Sequence, residues 1–159
     1  MSEKRTDIKE LGEFGLIDRI TSAFTLNQPS SVLGVGDDAA LVDTTGRQTV
    51  LTSDMLLEGI HFDLSYMPLK HLGFKAVAAN ISDLAAMNAT PGQILVNIGL
   101  SNRFSVEATE ELYSGIEAAC KAYQVDLIGG DTTSSRHGLV ISITAIGSVS
   151  PDQVVKRSG

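Results

Sequence analysis

Apolar residues along this chain change period several times, and each change marks an element. Phe14, Ile17, Ile20 and Phe24 recur at helical spacing after a polar lead, predicting a short amphipathic helix that ends near Asn27-Gln28-Pro29. Two short strands follow, Val32 to Val35 and Ala39 to Val42, on either side of a Gly36-Asp37-Asp38 turn. A hairpin-type turn, Asp43-Thr44-Thr45-Gly46, then leads to a strand from Gln48 to Leu51. From Pro68 to about Met87 the pattern is helical, with Leu72, Ala76, Ala79 and Asp83 on one face; Asn88-Ala89-Thr90-Pro91 ends it. Gln93 to Leu100 alternates Ile94, Val96, Ile98 and Leu100, which is strand periodicity. Ser105 reads as a helix N-cap, with Glu107, Glu110 and Glu111 near the positive end of the dipole and Leu112, Ile116, Ala119, Cys120 and Tyr123 as the buried stripe. Val125 to Ile128 is a short strand ending at Gly129-Gly130-Asp131, and Leu139, Ile141, Ile143 and Ala145 alternate through the last one. The order α-β-β-β-α-β-α-β-β predicts an α+β two-layer sandwich, a mostly antiparallel sheet with helices on one face.

Composition narrows the function. A chain of 159 residues with 43% hydrophobic content fits one domain with a real core, and no repeat, linker or low-complexity stretch divides it. Twelve Lys plus Arg against 19 Asp plus Glu give a formal charge of −7, and Lys156-Arg157 is the longest basic run, which argues against a nucleic-acid partner. An acidic protein that handles an anionic substrate needs a divalent metal between its carboxylates and the phosphates. Cys120 is the only cysteine, so there is no internal disulfide, thiolate zinc site or redox pair. No apolar signal core opens the sequence and no uninterrupted apolar run is long enough to span a bilayer, so the expected setting is the cytoplasm, away from membranes.

Four aspartate clusters carry the chemistry: Gly36-Asp37-Asp38, Thr52-Ser53-Asp54, Asn80-Ile81-Ser82-Asp83 and Gly129-Gly130-Asp131. The first, second and fourth end or interrupt strand-like runs, so their carboxylates are expected to converge where strands stop, crowded enough to need a cation or protons. Taken singly, each has a bland reading: Gly-Asp is common in turns, Asp54 could be a cap, and Asp83 could be a solvated helical acid. The position of Asp83 on an apolar stripe tilts it towards function, because acids are seldom buried unpaired. Paired glycines before Asp131 let backbone come close to a ligand.

Gly34-Val35-Gly36-Asp37-Asp38-Ala39 fits the letters of the dinucleotide fingerprint, but carboxylates stand where a helix N-terminus should face a pyrophosphate, and a hairpin signal follows. There is no P-loop either. His61 lacks a partner at zinc-ligand spacing. His71 and His137 read as surface residues, Cys120 as core, and Tyr113 as an aromatic contact or an interface residue.

Taken together, the motifs resemble thiamine-monophosphate kinase. Gly12-Glu13-Phe14, Gly34 to Ala40, Thr52-Ser53-Asp54, Glu58-Gly59-Ile60-His61-Phe62, Ala79 to Met87, Leu127 to Thr132 and Arg157-Ser158-Gly159 run in family order across nearly the whole chain. The resemblance implies the amino-terminal domain of the superfamily that includes aminoimidazole ribonucleotide synthetase and selenophosphate synthetase, whose members form dimers through this domain. It implies direct transfer of the γ-phosphate of ATP to thiamine monophosphate, assisted by several magnesium ions, giving thiamine diphosphate. By matching position, Asp38, Thr52, Ser53, Asp54, Asp83 and Asp131 would be magnesium ligands. Tyr113, Gly130, Asp131 and Arg157 would contact ATP, and His61 the thiamine phosphate. No residue stands out as a general base, and an acceptor that is already a phosphate has less need of one.

The family chain is about twice as long, so residues 1–159 are expected to be an N-terminal metal- and ATP-binding and dimerisation domain with little kinase activity alone. Two alternatives stand beside this reading: another ATP-using synthetase of the superfamily, and a noncatalytic metal-binding dimerisation module. Glu58 to Phe62 and the lack of a cysteine near the N-terminus favour the thiamine enzyme over the first. Nucleotide binding separates the second.

Overall fold

A computed structural model describes residues 6–33, 35, 41–43 and 46–156. The element order matches expectation: α1 (Ile8–Thr21), β1 (Ser31–Leu33), β2 (Leu41–Val42), β3 (Gln48–Leu57), α2 (Leu69–Ala86), β4 (Thr90–Leu100), α3 (Val106–Tyr123), β5 (Asp126–Ser134) and β6 (Val140–Val149), then a single 3-10 turn, Pro151–Gln153. The main sheet has the order β3-β6-β4-β5; β6 runs antiparallel to β3 and β4, and β5 is parallel to β4. Strands β1 and β2 form a separate antiparallel pair. The protein is thus an α+β sandwich with a mostly antiparallel sheet.

Strict alternation in β6 defines the two faces. Ile141, Ile143, Ala145 and Val149 are all at most 1% exposed and point to the helices, while their neighbours are half-buried on the other side. Ile94, Val96 and Ile98 of β4 extend the covered face, and Leu72, Ala76, Val77, Ile81 and Leu84 of α2 fill it from above. Helix α3 packs on α2 at glycines: a Cβ on Gly115 would collide with the Lys70 carbonyl, and one on Gly73 with that of Leu112. Ser105 caps α3, its hydroxyl accepting from the Ala108 N–H at 3.2 Å.

Three local expectations need correcting. Phe14 was expected in the buried stripe of α1 but is 80% exposed; Leu16 and Ile20, four residues apart, do the packing. Gly12, at φ 70°, breaks the helix, so no continuous phase runs through it. Phe24 lies beyond the helix end.

Strands β3 and β5 do not stop at their aspartates. Both run through them, because each residue from Gln48 to Leu57 has a partner on β6, and Gly129 to Ser134 continue the ladder on β4. A bulge at Ile128 sits between the Leu127 and Gly129 pairings.

Asp83 is the third. The buried stripe of α2 runs through Leu72, Ala76, Asn80 and Leu84, one position away from that expected, and Asp83 is exposed.

Candidate functional site

The site begins where β3 passes under the C-terminal half of α2. Register with β6 pairs Thr52 with Ala145 and Asp54 with Ile143, which puts both on the helix-covered face; Ser53 points the other way, its hydroxyl 3.0 Å from that of Thr144. The Thr52 hydroxyl donates to Asp83 Oδ2 at 3.0 Å. One helical turn earlier, buried Asn80 accepts from the Asp54 N–H through Oδ1 at 3.1 Å and donates through Nδ2 to the Ala76 carbonyl at 3.1 Å. Two side chains at i and i+3 of α2 therefore hold consecutive inward positions of an edge strand. The sequence named Thr52, Asp54 and Asp83, and the fold brings them together. Asn80 was in the motif without a role; its place on the i, i+4 stripe with Ala76 and Leu84 was the signal.

The other named residues are dispersed. Asp131 on β5 pairs with Asn97, on the face away from the helices. Strands β3 and β5 are the two edges of the sheet, about 14 Å apart across three strand spacings. Asp131 and Asp54 thus lie on opposite edges and opposite faces, and the expected crowding of these carboxylates does not occur within one chain. Among the described residues there is no group of three or more His, Cys, Asp or Glu arranged to hold a metal. Gly130 lies hard against the Val96 carbonyl of the neighbouring strand, with no room for a Cβ, so its missing side chain serves strand packing. Tyr113, expected at the nucleotide, is 5% exposed on α3 and packs edge-on to Phe24, at 6.4 Å and 86°. Burial pushes its phenol pKa up. Cys120 is core as expected, its thiol pushed up to about 12, first by burial and then by Asp126 and Glu117. Asp37, Asp38 and Arg157 lie outside the described residues.

His61 stands exposed in a tight loop after β3. Its Nδ1 accepts from the Leu57 N–H at 3.0 Å, and Lys75 Nζ donates to its carbonyl at 3.2 Å. With Nδ1 spent as an acceptor, the neutral ring carries its proton on Nε2. Two acids had no role of their own in the sequence reading. Asp126 is 1% exposed and accepts from the Asn27 and Gln28 N–H groups at 2.8 and 2.9 Å, tying down the segment that enters β1. Glu58 accepts from the Leu139 N–H at 2.8 Å and pairs with Arg103. An open depression of about 330 Å³ near β1 and β2, lined by residues such as Arg47, Asp43, Gln93 and Ser148, includes none of the metal-, ATP- or substrate-binding candidates.

Comparison with known proteins adds the family. The N-terminal domain of AIR synthase related proteins matches residues 36–149. The thiamine-monophosphate kinase of Bacillus subtilis (strain 168) is 38% identical over 149 residues, covering 93% of this chain and 46% of the relative. The crystal structure of thiamine-monophosphate kinase from Stenotrophomonas maltophilia K279a superposes with a TM-score of 0.78 at 39% identity, over 92% of this chain and 45% of that one. AaThiL complexed with AMPPCP and TMP gives 0.66 at 33% identity, over 99% and 47%. The chain spans about half the length of the curated relatives it matches. Among the described residues, no helix is long and apolar enough to cross a membrane.

Proposed function

The chain belongs to the AIR synthase related family, and from that premise we propose that it is the N-terminal half of an ATP-dependent thiamine-monophosphate kinase. The reading is carried by one observation: the Thr52 hydroxyl meets Asp83, and Asp54 lies on the same inward face with its N–H held by Asn80, where β3 meets α2, in a chain whose relative over 93% of its length is a kinase of that name.

The donor set suits magnesium. A hydroxyl and two carboxylates are hard oxygen ligands, and the Asn80 bond to the Asp54 backbone fixes the strand that presents them. Thr52, Asp54 and Asp83 would hold the ion, joined by Ser53, Asp38 and Asp131 in a fuller set. Magnesium when bound neutralises phosphate charge during transfer. The chain's own part is positioning: Gly130, Asp131 and Arg157 on ATP, Tyr113 supporting from the core, and the His61 Nε2–H donating to the thiamine phosphate. No general base is required of it.

A homodimer in the cytoplasm completes the proposal. Leu51 and Met55 of β3 are 65% and 56% exposed on the uncovered face of the sheet, alongside half-buried Leu95 and Ile146. A second copy seated there would cover them.

Calorimetry tests the reading. This chain should bind AMPPCP with magnesium and lose at least about tenfold in affinity, near 1.4 kcal/mol, without it or in an Asp54→Asn/Asp83→Asn variant. Equal binding in all three samples refutes it. Turnover by this polypeptide alone is expected to be low.

A further inference from the structure

The loop that presents His61 is held from outside itself. Glu58 leaves β3 with its N–H donating to the Leu139 carbonyl at 3.1 Å, while its Oε2 accepts the Leu139 N–H in return. The same carboxylate pairs with the Arg103 guanidinium, which lies 5.4 Å from the centre of the Phe104 ring. The Glu58 side chain is only 17% exposed, so these contacts are poorly screened by water. Gly138 makes room for it: a Cβ there would stand 2.7 Å from Glu58 Oε2.

Beyond this clamp the chain turns tightly. The Gly59 N–H donates to the Phe62 carbonyl at 2.8 Å, and the His61 N–H to that of Leu57 at 2.9 Å. Phe62, 4% exposed, anchors the far end in the core. The Leu57 N–H that reaches His61 Nδ1 comes from the residue directly before Glu58. A backbone N–H can only donate, so this bond selects the Nε2–H tautomer and turns that donor outward.

We infer that Glu58 is a positioning residue: its carboxylate, clamped by Leu139 and Arg103, fixes the loop from Leu57 to Phe62 and thereby holds His61 as a single Nε2–H tautomer. The use of that donor on a phosphate oxygen rests on the proposed function. The tautomer itself does not.

Long-range proton–nitrogen correlation spectra of the ligand-free chain above neutral pH read the tautomer directly. His61 in the parent is expected as Nε2–H alone. In Glu58→Ala a population protonated on Nδ1 should emerge, with exposed His71 unchanged. Glu58→Gln keeps an acceptor for the Leu139 N–H and should restore the single form. Gly138→Ala disturbs the clamp from the Leu139 side, setting a methyl 2.7 Å from the carboxylate at a backbone φ of 91°, and should reproduce the Ala result, which covers the case of a Glu58→Ala chain that does not fold. A single Nε2–H form in both Glu58→Ala and Gly138→Ala overturns the inference. Because no nucleotide or thiamine phosphate is present, failure of the kinase reading leaves this result unaffected.

Discussion

Truncation of Asn80 to alanine tests whether the site is built by the fold or merely borne on it. The Asn80 side chain is 1% exposed and makes two bonds, one to the Asp54 N–H and one to the Ala76 carbonyl. The second is expendable, since Ala76 O also lies in the helical ladder. Loss of the first leaves a donor on a half-buried edge-strand position without its partner, worth about 1–3 kcal/mol. Water can reach part of that strand, so the lower half of the range applies. The vacated amide adds a small cavity, bringing the expected loss to about 2 kcal/mol.

Urea unfolding followed by circular dichroism measures it, with an unchanged m-value showing that only stability moved. Asn80→Leu separates the two contributions: it refills the volume but accepts nothing, so about 1 kcal/mol of loss should persist. Both variants should also weaken magnesium-dependent AMPPCP binding, because Asp54 is no longer fixed against α2. A loss below about 0.5 kcal/mol in both, with binding intact, would show that the Asp54 contact is incidental.

Gly115→Ala should be among the most damaging single changes, because its methyl would enter the Lys70 carbonyl and force α2 and α3 apart; overpacking of this kind costs about 3 kcal/mol or more, and a thermal midpoint within about 2 °C of the parent would contradict the packing. Glu107 is held near pKa 2, from 4.5, first by the Thr6 N–H and then by the Thr6 hydroxyl, so its contribution is full above pH 4.5 and fades as pH falls towards 2. The difference in melting temperature between parent and Glu107→Gln should accordingly shrink across that window, and a difference constant from pH 6 to 2 would contradict it. Without added magnesium or nucleotide, chelation of trace divalent ions should leave the melting temperature of this chain unchanged, since Asp54 and Asp131 lie at opposite edges of the sheet; a clear drop with EDTA would mean that a tightly bound ion supports the fold.

The fold was legible because its periodicities are clean. Ile141, Ile143 and Ala145 alternate with half-buried partners, and Ser105 followed by acidic residues marks a helix start that the structure keeps. Strand ends were not legible. Asp54 and Asp131 are poor strand formers, and local chemistry argued for turns, yet cross-strand pairing with β6 and β4 outweighs that preference. The stripe of α2 was placed one position off because alanine at 79 looks as apolar as alanine at 76, and only the packed sheet tells which side Asn80 takes. Within the site, Thr52, Asp54 and Asp83 could be named from their motifs. Glu58 and Asn80 stood in motifs without a role and Asp126 in none, since each acts through a backbone N–H from a segment 26 to 99 residues away in the chain.

The placement of β5 decides what this chain can do alone. A carboxylate cluster inferred by counting motifs presumes that the strands bearing them are neighbours, but β6 and β4 stand between β3 and β5. Parallel addition of β5 outside β4 carries Asp131 to the far edge, and the pleat turns it to the face opposite Asp54. The repulsion that would demand a cation is thereby relieved by distance: at about 14 Å two charges are beyond a Debye length in physiological salt. Among the described residues, Thr52, Asp54 and Asp83 offer the β3 edge hydroxyl and carboxylate oxygens, and His61 lies past the C-terminal end of the same strand. On the proposed function, phosphoryl transfer would need further groups at the β3 edge, and the uncovered face bearing Leu51 and Met55 is where a second copy would bring them.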